Sequence, residues 1–167
     1  MGQLLTRVNV EAFTLFILQI IMSDNEKKHL EIDALGEFGL IEKLTKEVTL
    51  KNPSSIIGIG DDAAEIELSS KESMLISSDM LVEGVHFNLS YVPLKSLGFK
   101  AVSVNVSDIF AMNGKPEQLT VSLGVSSKFP VEALEELYKG INAACAFYNV
   151  DLVGGDTVSS SSGLILS

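Results

Sequence analysis

Apolar residues recur at helical spacing in three stretches of the chain. The first stretch predicts a short amphipathic helix within residues 36–52, and the second predicts a longer helix over residues 93–112, where a breaker cluster ends it. The third predicts a helix over residues 130–149, which proline opens and early glutamates favour. Its apolar stripe consists of Leu134, Leu137, Ile141, Cys145 and Tyr148.

Short apolar runs between these helices predict strands. They cover residues 56–59, 73–78, 118–125, 150–153 and 163–166, and the first is expected to be buried. The resulting order is helix, two strands, helix, strand, helix and two strands. This order predicts the fold class α/β (α+β), with a mixed β-sheet and helices packed on it.

Aspartates stand at the ends of four of the apolar segments. These aspartates are Asp61 with Asp62, Asp79, Asp108 and Asp156. Carboxylates that separate elements deliver to one place repel one another strongly unless cations lie between them. Hard oxygen ligands of this kind suit Mg²⁺. The pattern therefore predicts a magnesium site for phosphate chemistry.

Asp108 shares one face of the second predicted helix with Leu97, Ala101 and Val104, at spacings of four, three and four residues. This face is otherwise apolar and is expected to pack on the core. A carboxylate there must be paired, hydrogen-bonded or bound to metal. The alternative is a helix that has already emerged from the core at Asp108.

Three further segments suit phosphate or metal binding and also have simpler explanations. Residues 58–63 fit the dinucleotide fingerprint G-x-G-x-x-A, but two carboxylates would meet the phosphates and no long helix is predicted to follow. Ser77, Ser78 and Asp79 offer hydroxyl and carboxylate oxygens at one point. Residues 154–157 (Gly-Gly-Asp-Thr) allow close approach of a phosphate, or they form a turn with an aspartate cap.

Charge and cysteine content narrow the function classes. A formal charge of −10 argues against nucleic acid or an anionic membrane surface as the main partner, because only bound metal could offset phosphate charge. The single cysteine, Cys145, excludes an internal disulfide and is expected to fill the core. A reducing cytoplasm is therefore the expected location.

Length and composition predict one domain, since the chain has 167 residues of which 46% are apolar. Residues 12–22 are apolar but too short to span a bilayer, and no signal-peptide cleavage site follows them. Residues 1–30 are predicted to be an N-terminal extension that is disordered or not native. This leaves residues 31–167 as the domain.

Neither histidine supports a nucleophilic triad, and the sequence contains no P-loop. His86 lies in a predicted loop over residues 79–92, where a lone histidine is more often structural than functional. Without a lysine clamp on the phosphates, a kinase of this sequence would need metal in its place.

Five motifs follow one another along residues 31–167. They are Gly-Glu-Phe at 36–38, Ile-Gly-Asp-Asp-Ala-Ala at 59–64, Ser-Ser-Asp at 77–79 with Gly-Val-His-Phe at 84–87, Asn-Val-Ser-Asp-Ile at 105–109 with Ala-Met-Asn-Gly at 111–114, and Gly-Gly-Asp-Thr at 154–157. In order and spacing this set resembles the motifs of the bacterial thiamine-monophosphate kinases. Those kinases belong to the superfamily of aminoimidazole ribonucleotide synthetase, selenophosphate synthetase and a hydrogenase maturation factor.

The resemblance implies ATP-dependent phosphorylation of thiamine monophosphate to thiamine diphosphate, by direct in-line transfer with several Mg²⁺ ions and without a phospho-enzyme. The metal ligands that it implies are Asp62, Ser77, Ser78, Asp79, Asp108 and Asp156. It also implies that His86 contacts the phosphate of thiamine monophosphate. The residues implied to bind ATP are Tyr138, Gly155 and Asp156.

The resemblance also bears on domain organisation and partners. Residues 31–167 would be the N-terminal metal- and ATP-binding domain, truncated before a second domain that family members carry. Two such domains would pair through their sheets into a homodimer. Two alternatives stay open: another ATP-dependent member of the superfamily, from purine or selenium metabolism, or a catalytically silent dimerisation fragment.

Overall fold

The computed structural model of the protein describes residues 32–167, in two compact units of which one ends at Val48 and the other begins at Thr49. The predicted N-terminal extension lies outside the described residues. In the first unit a 3-10 turn, Ile32–Ala34, precedes helix α1, Gly36–Thr45. The prediction extended this helix to residue 52, but the chain turns after α1 and β-branched residues follow.

Three antiparallel strands form the first sheet of the second unit, in the order β1-β2-β3. The strands are β1 (Ser55–Ile57), β2 (Ala64–Ser69) and β3 (Glu72–Ile76). β1 confirms a strand at the position predicted for residues 56–59, but it ends at Ile57, and its predicted burial is wrong because Ile56 is half exposed. The pattern does not predict β2, which is six residues long and exposed over its second half.

Four strands form the second sheet, in the order β4-β7-β5-β6. The strands are β4 (Leu81–Val82), β5 (Gln118–Val125), β6 (Asp151–Ser159) and β7 (Leu164–Leu166). β5 and β6 are parallel, whereas β7 is antiparallel to β4 and β5, so the predicted mixed sheet is confirmed. Two predictions are corrected. β4 lies inside the predicted loop, because a strand of two residues is too short to show an alternation of apolar and polar positions. β6 continues past residue 153, where the predicted strand ended.

Residues 154–157 lie within β6, so the alternative of a turn at this point is wrong. Gly155 has φ +152°, and a Cβ there would overlap the main-chain carbonyl of Val121 on β5. Glycine therefore lets β6 follow its neighbour closely, where a larger side chain would break the pairing.

Helices α2 (Leu94–Ala111) and α3 (Val131–Tyr148) pack on the second sheet. Both begin directly after a proline, as predicted, and α3 ends at Asn149, whose φ of +56° suits a left-handed cap. Cys145 is buried, which confirms its predicted place in the core. The other large buried side chains of this core are Leu81, Phe87, Leu97, Val102, Val106, Val121, Leu123, Leu137, Ile141, Val150, Leu164 and Leu166.

Two glycines bring α2 and α3 into close contact. A Cβ at Gly98 would overlap the carbonyl of Leu137, and a Cβ at Gly140 would overlap the carbonyl of Lys95. The face of α2 that carries Gly98 is therefore turned toward α3. Within residues 32–167, no helix has the length and apolar content needed to cross a membrane.

Candidate functional site

The loop ahead of β4 and the last turns of α2 bring three predicted metal ligands together. Asp79 lies in that loop, Asp108 on α2, and Asp62 between β1 and β2. Burial raises the pKa of Asp108 above its ordinary value, and the carboxylates of Asp79 and Asp62 raise it further. The carboxylates of Asp79 and Asp62 are therefore both within electrostatic reach of Asp108. We call Asp62, Asp79 and Asp108 the aspartate trio.

Asp108 is half-buried on α2. Ala101 and Val104, which the predicted stripe places in the core with Asp108, are only half-buried. The stripe packs against the core as predicted, but Leu97 is its only fully buried member, because the glycine contact turns Gly98 and its neighbours toward α3. The buried residues of α2 are Leu97, Gly98, Val102 and Val106. A half-buried carboxylate keeps access to ligands from solvent.

Asn105 joins the loop to the helix, and the sequence analysis does not include it among the site residues. Its Oδ1 accepts a hydrogen bond from the Asp79 N–H at 2.9 Å, and its Nδ2 donates to the Ala101 carbonyl at 3.0 Å. Its own carbonyl accepts from Ser77 Oγ at 3.4 Å. The signal that could identify Asn105 is its place three residues before Asp108, on the same side of a predicted helix.

The aspartate trio has no compensating cation in the described part of the chain. The ion pairs found there join Lys115 to Glu117 and Lys139 to Glu136, outside the trio. Across residues 32–167, no three acidic, histidine or cysteine side chains are close enough to hold one ion by themselves. The trio therefore interacts through space without converging on a point. An uncompensated set of oxygen donors fits Mg²⁺ whose remaining ligands are hydroxyls, water or phosphate oxygens.

A row of polar side chains crosses the open face of the second sheet. Asp156 is paired with Ser122 on β5, and Ser122 exchanges two main-chain hydrogen bonds with Ser167, at 2.6 and 2.9 Å. Ser167 Oγ is in turn 3.3 Å from Ser78 Oγ. Because neighbouring strands are about 4.8 Å apart, Asp156 lies roughly 10 Å from Ser167, too far to share one ion with the residues beyond it. We call these four residues the polar row.

His86 lies exposed in the turn after β4. Its Nδ1 accepts a hydrogen bond from the Val82 N–H at 3.0 Å, so the neutral ring carries its proton on Nε2 and can donate it to a ligand. Lys100 Nζ donates to the His86 carbonyl at 3.0 Å, and the Glu83 carboxylate accepts from the Leu164 N–H at 2.9 Å. The turn is thus anchored to α2 and β7. The contact of His86 with a phosphate stays a prediction.

The residues predicted to bind ATP lie on two different elements. Tyr138 is half-buried on α3 and packs against the core, and Gly155 lies in the pairing of β6 with β5. In the part of the chain that the structure describes, no hydrogen bond joins Tyr138, Gly155 or His86 to the aspartate trio. Their contacts with ATP and with the acceptor remain predictions.

Comparison with known proteins identifies the family of the chain. Residues 60–167 match the family model described as AIR synthase related protein, N-terminal domain, so the chain belongs to that family. It is 40% identical over 133 residues to the thiamine-monophosphate kinase of Bacillus subtilis (strain 168), and 41% identical over 131 residues to that of Aquifex aeolicus (strain VF5). These matches cover 80% and 78% of this chain but only 41% and 40% of the relatives. The chain therefore spans about two fifths of the length of the curated relatives it matches.

Solved structures of similar sequence have the same fold. The structure described as AaThiL complexed with AMPPCP and TMP is 38% identical, with a TM-score of 0.71 over 84% of this chain and 43% of that one. A crystal structure of thiamine monophosphate kinase from Aquifex aeolicus is 34% identical, with a TM-score of 0.62 over 82% of this chain and 42% of that one. The predicted resemblance and the predicted fold class are both confirmed.

Proposed function

We propose that this chain is part of a kinase that transfers a phosphoryl group from ATP to thiamine monophosphate and forms thiamine diphosphate. The observation that carries the proposal is the aspartate trio, in a chain 40% identical to a thiamine-monophosphate kinase. The related structure with AMPPCP and TMP supports ATP and thiamine monophosphate as substrates. Turnover is tested with a polypeptide that has this chain and the remaining length of its relatives, called here the full-length protein.

More than one Mg²⁺ ion is proposed from the spacing of the acidic side chains. Asp79 and Asp108 would share one ion, whereas Asp156, across the sheet, would hold another. The full set of proposed ligands is Asp62, Ser77, Ser78, Asp79, Asp108 and Asp156. When bound, the ions would neutralise the phosphate charge of both substrates.

Direct in-line transfer without a phospho-enzyme agrees with the side chains available. In the described part of the chain, His86 is the only histidine, and no serine or cysteine is hydrogen-bonded to its ring. An activated nucleophile is therefore not formed there. The residues of the chain would act by position: Asp79 and Asp108 as ligands, and the His86 Nε2–H as a donor to the acceptor phosphate.

Two alternatives receive less support. Another ATP-dependent member of the superfamily, from purine or selenium metabolism, is not favoured because the relatives compared above are thiamine-monophosphate kinases. A catalytically silent dimerisation fragment remains a prediction for this chain by itself. Metal-dependent nucleotide binding by the chain would contradict it.

A homodimer is proposed from the exposed edge of the second sheet. β6 has nine residues, pairs within the described residues with β5 alone, and is exposed over most of its length. A long exposed edge tends to pair with another strand, which a second copy would supply. Sedimentation of the full-length protein at the mass of one chain would contradict this.

Nucleic acid and membrane partners are not expected at a charge of −10, and a cytoplasmic location stays a prediction.

ATP is expected to bind this protein weakly and only in the presence of divalent metal. With a net charge of −10 and no P-loop, the chain has no other means of offsetting the charge of the polyphosphate. Calorimetric titration with ATP and MgCl₂, repeated in excess EDTA, measures the difference. Equal binding under both conditions would contradict a metal-bridged phosphate site.

His86→Asn in the full-length protein is expected to raise the KM for thiamine monophosphate much more than the KM for ATP. One substrate would lose a charge-assisted hydrogen bond of about 1.5–3 kcal/mol, and the other would lose nothing. Steady-state kinetics with each substrate varied in turn measures the two KM values, and a melting curve measures the stability of the variant. Lower stability with both KM values raised alike would instead make His86 a structural residue.

A further inference from the structure

The interactions of Asn105 link two parts of the chain that are distant in sequence. The side chain reaches from the Asp79 N–H, at 2.9 Å, to the Ala101 carbonyl, at 3.0 Å. The main-chain carbonyl of Asn105 accepts a further hydrogen bond from Ser77 Oγ at 3.4 Å. Asp79 and Asn105 are 26 positions apart. These contacts therefore attach the loop between β3 and β4 to the middle of α2.

The amide of Asn105 is chemically matched to both of its partners. The Asp79 N–H needs an acceptor, and the Ala101 carbonyl needs a donor. The partners also assign the orientation of the amide, since the reverse orientation would face donor to donor and acceptor to acceptor. Alanine at this position would leave the Asp79 N–H without its partner, and serine is too short to reach it.

The position of Asn105 on the helix gives this contact a consequence for the site. Asn105 precedes Asp108 by three residues, so both side chains leave the same side of α2. The Asp79 main chain is hydrogen-bonded to Asn105 on that side, so the carboxylates of Asp79 and Asp108 carry like charges near one another and repel. Asp79 lies in a loop, outside any helix or strand, and repulsion would move it away from α2 unless its main chain were held.

We propose that Asn105 is a positioning residue that sets the separation between Asp79 and Asp108 and so prepares the two carboxylates for one divalent cation. Asn105 acts through the main chain of Asp79 and does not itself bind the cation. The inference rests on the proposed function in one respect, namely that Asp79 and Asp108 are metal ligands.

The affinity for Mg²⁺ tests this role without an activity assay. In the full-length protein, Asn105→Ala is expected to weaken Mg²⁺ binding about tenfold or more, as removal of a group that orients metal ligands does. Ser103→Ala is the control on the same helix, because Ser103 Oγ donates to the Phe99 carbonyl at 3.0 Å and accepts from the Tyr148 hydroxyl at 3.1 Å, and neither contact involves the loop. Calorimetric titration with MgCl₂ alone should give the control an affinity within about twofold of the unsubstituted protein.

Asn105→Ser provides a second variant if alanine impairs folding. A serine in a helix can still bond the carbonyl four residues earlier, here that of Ala101, but it cannot reach the Asp79 N–H. It is expected to lose Mg²⁺ affinity as alanine does. Melting curves in EDTA verify that each variant is folded.

Hydrogen exchange at the Asp79 amide provides a readout that involves no metal. In EDTA, this amide should exchange faster in Asn105→Ala and Asn105→Ser than in Ser103→Ala. Asn105→Asp keeps an acceptor for the Asp79 N–H, so it should restore much of the protection. A general loss of structure would not be rescued in this way.

The possible results separate this inference from the proposed function. Mg²⁺ binding that is equal in the unsubstituted protein and in Asn105→Ala would overturn the inference and leave the metal site in place. Unchanged exchange at the Asp79 amide in Asn105→Ala would overturn it as well. A full-length protein that binds no Mg²⁺ would overturn the proposed function, and this inference with it.

Discussion

Replacing Asp108 with asparagine is expected to lower turnover of the full-length protein by orders of magnitude, while the metal-free protein melts at the same or a higher temperature. Turnover falls because an uncharged amide is a weaker ligand for Mg²⁺. Stability does not fall, because the substitution removes a charge that burial and two neighbouring carboxylates disfavour. Asp79→Asn should change turnover in the same direction.

The effect of Asp108→Asn on stability is expected to depend on pH. The pKa of Asp108 is raised above 3.8, so the folded protein binds this proton more tightly than the unfolded chain does. The resulting stabilisation is fully present below the unfolded pKa and is lost as the pH rises through the folded pKa. The advantage of the variant should therefore be present at neutral pH without metal, and it should shrink as the pH is lowered through the raised pKa.

A matched control for this experiment is Asp151→Asn, the same chemical change at an exposed position at the start of β6. Its effects on turnover and on the pH dependence of the melting temperature should both be much smaller than those of Asp108→Asn. The measurements are a steady-state assay with ATP, thiamine monophosphate and MgCl₂, and melting curves in EDTA. A marked loss of metal-free stability with near-normal turnover would make Asp108 a structural residue.

Gly140→Ala is expected to destabilise the unit that begins at Thr49 by about 3 kcal/mol, the upper part of the range for overpacked sites. The new Cβ would overlap the Lys95 carbonyl, which belongs to the backbone of α2 and cannot move aside as a flexible side chain can. The two helices must therefore separate, and the core between them loses packing. Urea denaturation followed by circular dichroism measures the change.

Gly39→Ala in α1 is the control for this prediction. Its new Cβ would meet the Leu35 Cβ at 3.5 Å, which is an ordinary contact. Alanine favours a helix interior over glycine by about 1 kcal/mol, so this substitution should be neutral or stabilising. A similar loss of stability at both positions would show that close helix packing is not the cause.

Local patterns predicted the helices that surround the site. The prolines before α2 and α3 and the breakers after them are local features, and the helices begin and end within one residue of the predicted bounds. Apolar and polar or small residues alternate over the eight residues of β5, which has the predicted bounds, Gln118–Val125. These elements follow from the sequence because each signal lies inside the element that it describes.

Elements that depend on their neighbours were predicted less well. β4 has two residues and exists because Leu81 pairs with Leu166, far along the chain. β6 continues through two glycines because β5 lies alongside to pair with it. In both cases the main-chain hydrogen bonds that define the strand are made with another strand. The alternation of apolar and polar residues within the segment does not indicate such bonds.

The sequence by itself determined which side chains are available to the proposed site, namely oxygen donors at the ends of apolar segments without a P-loop, because residue types and local breakers are local properties. Tertiary structure decided which ligands act together. The contact of Gly98 with α3 decides which face of α2 is buried, Asn105 bonds the main chain of Asp79 to that helix, and the strand order places Asp156 at the opposite edge of the sheet from β4. Such distances depend on how elements pack, which the spacing of residues along one chain does not specify.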